Sequence, residues 1–310
     1  MRYLAFILVI PGLFMMSCSS KQNPSSDQKQ SNSMYDHIDI QGHRGCRALF
    51  PENTLPAFQK ALELNVNTLE LDLAISKDHK VLVSHEPYFR AGLSITPDGR
   101  KVTKEEERDH NIYEMDYEQV KAYDVGSLPD ERYPVLENLK TYKPLLKQVV
   151  DKARHYAYTF STPFPDLNIE IKRRPEYDNL FHPDGETFVN LVLQEVKELD
   201  IFDETIIQSF DLESLRLVKQ KEPRIRTALL IENMRPLQDN ISELGFKPDI
   251  YSCYFKLLKE EDISYCKEKG IKVIPWTVNS KEDIQAMLDL GVDGIISDYP
   301  DRVLELTDRI

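Results

Sequence analysis

The sequence predicts a single α/β domain of the TIM type, a (β/α)8 barrel with a small insertion after its third strand-like run. Three observations carry that prediction. Nine short β-branched or apolar runs alternate with amphipathic stretches between residues 38 and 300, the pattern of a parallel sheet covered by helices. The 310 residues, less a short leader, match the roughly 250 residues that one such barrel needs. Polar residues also gather where the apolar runs end, and in these barrels the C-terminal strand ends form the active-site mouth.

The chain starts with an address. Arg2 precedes an apolar run, Tyr3 to Met16, which ends at Ser17-Cys18. About 14 residues are too few for a membrane span, which needs about 20. A positive start, a short apolar core and a small residue before cysteine are similar to a bacterial lipoprotein signal peptide, with Met15-Met16-Ser17-Cys18 as its lipobox. That reading makes residues 1–17 a cleaved leader and Cys18 the lipid attachment point of an exported, membrane-anchored lipoprotein; an ordinary secretory leader cleaved near Ser17 to Ser20 is the alternative. Residues 18–34, rich in Ser, Gln, Asn and Lys, have no apolar periodicity and read as a tether. The barrel is expected over 35–310.

Its strands are expected at Ile38 to Gln41, Thr68 to Ala74, Lys80 to Ser84, Leu167 to Ile171, Thr205 to Ser209, Thr227 to Ile231, Asp249 to Ser252, Ile271 to Trp276 and Gly294 to Ser297. Helical stretches between them include Thr54 to Leu64, Leu139 to Tyr156, Thr187 to Leu199, Leu212 to Lys219 and Lys281 to Leu290. Nine strands exceed eight by one. The third follows the second after about five residues, too few for a parallel crossover, so the two should form an antiparallel hairpin. A turn centred between Lys77 and Asp78 sets Glu70 opposite His85 and Asp72 opposite Val83.

Composition narrows the function. With 39 Lys plus Arg against 52 Asp plus Glu, the net charge of −13 lacks the basic face that nucleic acid requires. If Cys18 carries lipid, Cys46, Cys253 and Cys266 remain at wide spacings, with no disulfide framework or zinc pair. Cys46 follows His43-Arg44-Gly45 and is either a nucleophile or a small loop residue; no activating Cys–His arrangement favours the former.

The candidate chemistry sits at strand ends. Glu70 and Asp72 alternate with Leu69, Leu71 and Leu73, so if helices cover the leucines the carboxylates point into the barrel. The alternative is a solvent-facing strand. Glu170 and Lys172 alternate in the same way with Ile169 and Ile171, with a structural ion pair as their alternative. Buried acids need a cation or hydrogen bonds, and three inward carboxylates suit a hard divalent metal. His43 and His85 end strands beside these acids, and the planar Arg44 suits phosphate.

Taken together, Gly42-His43-Arg44-Gly45, Pro51-Glu52-Asn53-Thr54, Leu69-Glu70-Leu71-Asp72, Val83-Ser84-His85-Glu86, Ile169-Glu170-Ile171-Lys172, Gln208-Ser209-Phe210, Trp276-Thr277-Val278-Asn279 and the run Asp293 to Pro300 resemble, in order, the motifs of the glycerophosphodiester phosphodiesterase family. The resemblance covers about residues 38 to 307. It implies a phospholipase-C-like barrel that hydrolyses glycerophosphodiesters, such as glycerophosphocholine or glycerophosphoethanolamine, to glycerol phosphate and an alcohol. Glu70, Asp72 and Glu170 would then bind Ca²⁺ or Mg²⁺, and His43 and His85 would be the acid/base pair. Arg44 and Lys172 would hold phosphate oxygens. Glu52, Asn53, Gln208 and Trp276 would complete the phosphate and substrate site. The family's insertion, here about 86–132, would cap the mouth. Glu86 and Ser297 stand where the family usually has Asp and Thr.

The residues leave two other readings open, a barrel glycosidase working through paired carboxylates and a surface lipoprotein that binds a carbohydrate or lipid headgroup without catalysis. Cations beside the acids favour phosphate over sugar. The attacking oxygen is either the substrate's glycerol hydroxyl, by way of a cyclic phosphate, or water. His85 is the expected acid, because its place opposite Glu70 would raise its pKa.

Overall fold

A computed structural model describes residues 35–309, together with Met1. The leader, the tether and Cys18 lie outside the described residues. Among those described, eight strands form a parallel sheet. They are β1 (Asp39–Gly42), β2 (Thr68–Ile75), β4 (Asp166–Ile171), β5 (Thr205–Ser209), β6 (Arg226–Ile231), β7 (Ile250–Cys253), β8 (Lys272–Val273) and β9 (Gly294–Ser297). They run in the order β8-β7-β6-β5-β4-β2-β1-β9. The ring closes where Ile296 donates its N–H to Pro275 O and Val278 donates to Ile296 O. The fold is the expected TIM-type barrel.

β8 is shorter than expected because Pro275 has no N–H to give the ladder. Pairing resumes on either side, with Ile274 N–H on Tyr251 O and Trp276 N–H on Cys253 O.

The ninth strand, β3 (Val81–Val83), pairs antiparallel with β2, as the short connection required. Its register is one residue away from the expected one. Leu73 faces Val83 and Ala74 faces Leu82, so His85 is not opposite Glu70, nor Val83 opposite Asp72. The loop contains three residues, 77–79, instead of two. Ser76 N–H bonds to Lys80 O and His79 turns the chain at φ +59°, the left-handed step typical of three-residue hairpin loops.

Around the barrel lie α1 (Leu55–Glu63), α3 (Leu146–Phe160), α4 (Gly185–Glu198), α5 (Leu212–Lys221), α6 (Leu237–Leu244), α7 (Glu260–Lys269), α8 (Lys281–Leu290) and α9 (Pro300–Leu306). α1 starts with Pro56 in its first turn and buries Ala57, Phe58, Ala61 and Leu62. Leu69, Leu71 and Leu73 of β2 join the same apolar layer between sheet and helices, which leaves Glu70 and Asp72 for the interior. α3 begins later than expected. Pro144 cannot donate inside a helix, and its carbonyl instead accepts from Val83 N–H. α7 buries only Cys266 and so lacks the apolar stripe that betrays a helix in sequence. Its acidic first turn and lysine-bearing last turn suit the helix dipole.

The segment between β3 and α3 carries α2 (Tyr117–Lys121) and a small core of its own from Phe89, Val102, Ile112, Tyr117, Val120 and Tyr123, seated on Ala74 and Leu82. The inside of the barrel is divided. Ile206, Ala228, Ile250, Ile274 and Ile296 fill one side, and the polar residues of β1, β2 and β4 face them.

Candidate active site

β2 and β4 lie in register, with Asp72 across from Glu170 and Glu70 across from Asn168. That pairing, together with the outward leucines, brings Glu70, Asp72 and Glu170 to one point. Their ligand oxygens all lie within 4.8 Å of one another, and all three residues are buried. An all-oxygen set of this kind matches what a hard divalent cation takes from protein. Electrostatic strain accompanies the crowding. Burial drives the Glu70 carboxyl well above its ordinary value, with Asp72 adding to the rise, and burial likewise pushes Glu170 up to about 7. Asp72 goes the other way, because Arg44, His85 and Lys172 outweigh its burial.

Each acid has its own polar support. Gln208 donates to Glu70 at 2.7 Å and stands beside Asn168, which bridges to Gln41. Asn53 donates to Asp72 at 2.8 Å. Lys172 Nζ bonds to Glu170 at 3.0 Å and stands 3.6 Å from Asp72.

The loop after β1 carries His43 and Arg44. Arg44 has φ +51° and Gly45 φ +86°, a turn that aims the Arg44 N–H at Glu70 Oε2, 2.8 Å away. A Cβ on Gly45 would lie 2.7 Å from the Ala57 backbone, so only glycine lets the turn rest on α1. The Arg44 guanidinium reaches Glu52 at 3.0 Å and Asp72 at 3.3 Å.

Two imidazoles face the acids, each fixed through Nδ1. His43 Nδ1 lies 2.5 Å from Asp298 Oδ1, and its Nε2 is 3.9 Å from Glu70. Asp298 is buried, and its second oxygen accepts from Tyr133 OH and from Asn279 Nδ2, both at 2.8 Å. Burial opposes its charge, but His43 pulls it well below the carboxylate range. An ionised Asp298 only accepts, so the hydrogen sits on His43 Nδ1 and Nε2 is free to take a proton. His85 is arranged alike, with Nδ1 2.9 Å from Glu86 Oε1. Burial lowers the pKa of both rings. Asp298 opposes the fall for His43, and His85 drops to about 4 despite Asp72. The expected rise for His85 is therefore reversed, because its burial outweighs the nearby Asp72 charge.

These groups open onto a cavity of about 560 Å³. Its lining includes His43, Arg44, Glu70, His85, Glu170, Lys172, Gln208 and Trp276. Glu52 and Asn53 are not part of it. Glu52 is held by Arg44 and by Arg47 at 2.7 Å, and Asn53 holds Asp72. Both brace the site from behind, since a carboxylate turned toward phosphate would repel it. No residue of 86–132 lines the cavity. The expected cap therefore contributes nothing to the cavity wall, and just past that span Tyr133 reaches in to Asp298. Cys46 is fully buried, and burial pushes its thiol up, so it is a small loop residue.

Sequence reasoning gives no role to Asp298, Asn279 or Tyr133, although the first two lie in the motif runs Asp293 to Pro300 and Trp276 to Asn279. The signal was available for Asp298, which directly follows the last strand, where the same rule had found His43.

The model of the glycerophosphoryl diester phosphodiesterase family matches residues 43–302. The chain belongs to this family. It is 30% identical over 269 residues to the glycerophosphodiester phosphodiesterase of Caldanaerobacter subterraneus subsp. tengcongensis, covering 85% of this chain and 95% of that one. Over 322 residues it is 30% identical to the Bacillus subtilis glycerophosphodiester phosphodiesterase, covering 97% and 96%. A solved structure from Silicibacter pomeroyi, provisionally named a glycerophosphoryl diester phosphodiesterase, superimposes with a TM-score of 0.78 at 28% identity, covering 87% and 93%. An Oleispira antarctica phosphodiesterase solved with its product sn-glycerol-3-phosphate shares the fold, with a TM-score of 0.69 at 20% identity over 87% and 96%.

Proposed function

We propose that this protein hydrolyses glycerophosphodiesters to sn-glycerol 3-phosphate and an alcohol, with His43 and His85 as base and acid. One observation carries the reading. Two imidazoles, each with Nδ1 on a carboxylate, share one cavity with Arg44, Lys172, Glu70 and Glu170, and Asp72 completes the acid cluster behind its wall.

Glu70, Asp72 and Glu170 would hold one Ca²⁺ or Mg²⁺, which when bound supplies positive charge for the phosphoryl oxygens. Arg44 and Lys172 face the same anion. Both are engaged by the acids, so they present fixed charge that needs no reorganisation as the transition state forms. His43 takes the proton of the attacking hydroxyl or water on Nε2, and the buried Asp298 charge stabilises the imidazolium. His85 gives a proton to the departing alkoxide, and the bound phosphodiester's negative charge restores the basicity that burial removes. Each histidine contributes roughly 10²- to 10⁴-fold.

Export as a lipoprotein anchored through Cys18 belongs to the same proposal, supported by the lipobox alone.

Purified protein assayed on glycerophosphocholine with and without EDTA tests the reading. Activity is expected, and chelation should abolish it. His43→Ala and His85→Ala should each lose most of it, and the double variant should be scarcely worse than either. On a nitrophenyl phosphodiester, whose leaving group needs no proton, His85→Ala should recover and His43→Ala should not. Near-wild-type turnover by both single variants on glycerophosphocholine would overturn the assignment.

A further inference from the structure

The two imidazole–carboxylate pairs are not secured alike. Asp298 is held from several sides, by Tyr133 and Asn279 as well as by His43. Among the described residues, the Glu86 carboxylate has no hydrogen-bond partner except His85, and it is partly exposed. What fixes Glu86 is its backbone. Its carbonyl accepts from Ser84 Oγ at 2.5 Å. Ser84 is fully buried, with its own N–H on Asp72 O at 2.9 Å, and its Oγ accepts from Lys143 Nζ at 2.7 Å.

Lys143 arrives from the far end of the insertion. It immediately precedes Pro144, whose carbonyl accepts from Val83 N–H at 2.8 Å, so two successive residues of the returning chain grip the end of β3. Its ammonium stands 5.5 Å from the ring centre of Phe89, in the insertion's own core. Among the described residues no carboxylate pairs with it. Burial pulls its pKa down to about 8, with Glu52 and Glu86 opposing the fall, so it is charged at pH 7.

The direction of its one hydrogen bond gives this ammonium a task. An ammonium has three donors and no acceptor. With Lys143 on one side of Ser84 Oγ, the single hydroxyl hydrogen must point the other way, to Glu86 O. The donors therefore run one way, from Lys143 through Ser84 to Glu86, and end on the residue that orients His85. We infer that Lys143 is a positioning residue: through Ser84 it locks the Glu86 turn and so aims His85 at the departing oxygen. The inference rests on the reading of His85 as the acid and adds the device that orients it.

The test uses leaving groups to separate orientation of the acid from general damage. On glycerophosphocholine, Lys143→Met should lower kcat roughly 10- to 100-fold with KM unchanged, since misplacing a reacting group by about 1 Å costs up to about 10²-fold. On the nitrophenyl phosphodiester, which needs no acid, the same variant should stay within about threefold of wild type. Ser84→Ala, which removes one oxygen, should show the same pattern, and the double variant should be no slower than the slower single one. A merely structural lysine would slow both esters alike. Thermal melting checks folding, and Ser84→Ala carries the comparison alone if Lys143→Met is unstable. Equal losses on the two esters, or full activity on both, overturn the positioning role. His85→Ala is the control. If it fails to recover on the nitrophenyl ester, the acid reading falls and this inference with it; if it recovers and the Lys143 and Ser84 variants do not, only this inference falls.

Discussion

Asp298→Asn is the substitution that most directly probes how the site works. Asp298 offers one oxygen to His43 Nδ1 and the other to two donors, Tyr133 OH and Asn279 Nδ2. An asparagine has one oxygen and one NH₂ to divide between them. With its oxygen on the Tyr133 and Asn279 side it keeps two hydrogen bonds and presents NH₂ to His43. Turned over, it sets NH₂ against the Asn279 amide and leaves buried donors unmet, at about 1–3 kcal/mol each. A difference of about 2 kcal/mol favours the first orientation about 30-fold. That orientation forces His43 to accept at Nδ1 and to carry its hydrogen on Nε2, where it can no longer take a proton. The imidazolium also loses its anionic partner, a charged hydrogen bond of about 1.5–3 kcal/mol. Together these predict a loss on the order of 10³-fold in kcat with little change in KM, comparable to the wrong-tautomer effect in His–Asp pairs generally. Raising the pH should not restore the rate, because the defect is the hydrogen's position and not its presence. Steady-state kinetics on glycerophosphocholine from pH 6 to 9, with circular dichroism to verify folding, provide the assay. A kcat within threefold of wild type would refute the tautomer argument.

Three further outcomes follow from the same geometry. Glu70→Gln and Glu170→Gln should lose at least 10²-fold in activity and all response to added Ca²⁺ or Mg²⁺, yet melt in EDTA no lower than wild type, since each removes a charge from a crowded buried cluster; a large drop in melting temperature would show that the cluster serves the fold. Burial works against the Glu52 charge, but Arg44 and Arg47 hold its pKa well below the ordinary 4.5. Its contribution should therefore be complete above pH 4.5 and fade as the pH falls, so Glu52→Gln should cost about 3 kcal/mol at pH 7 in urea titrations, and a gap that does not narrow toward pH 3 would contradict the pairing. For Cys18, labelled palmitate should appear on the wild type and Cys18→Ser should release the protein from membranes; unlabelled, freely soluble wild type would leave plain secretion as the answer.

Period and spacing determined most of the architecture. Alternation of leucine with Glu70 and Asp72 revealed which side of β2 faces inward, because a strand's side chains alternate by backbone geometry alone. The brevity of the Ile75-to-Val81 connection exposed the hairpin, because no parallel crossover fits that length. Acids and histidines at strand ends marked the site, since a barrel gathers those ends at one mouth. Where sequence failed, the deciding forces were tertiary. One left-handed residue, His79, moved the hairpin register and removed His85 from its expected partner. α7 shows no apolar stripe, and its place depends on neighbours instead of periodicity. Asp298 lies 255 residues from His43 and meets it only because β9 returns to close the ring against β1. No local pattern encodes contacts between strand ends so far apart in the chain, because it is the closing of the sheet that sets those distances.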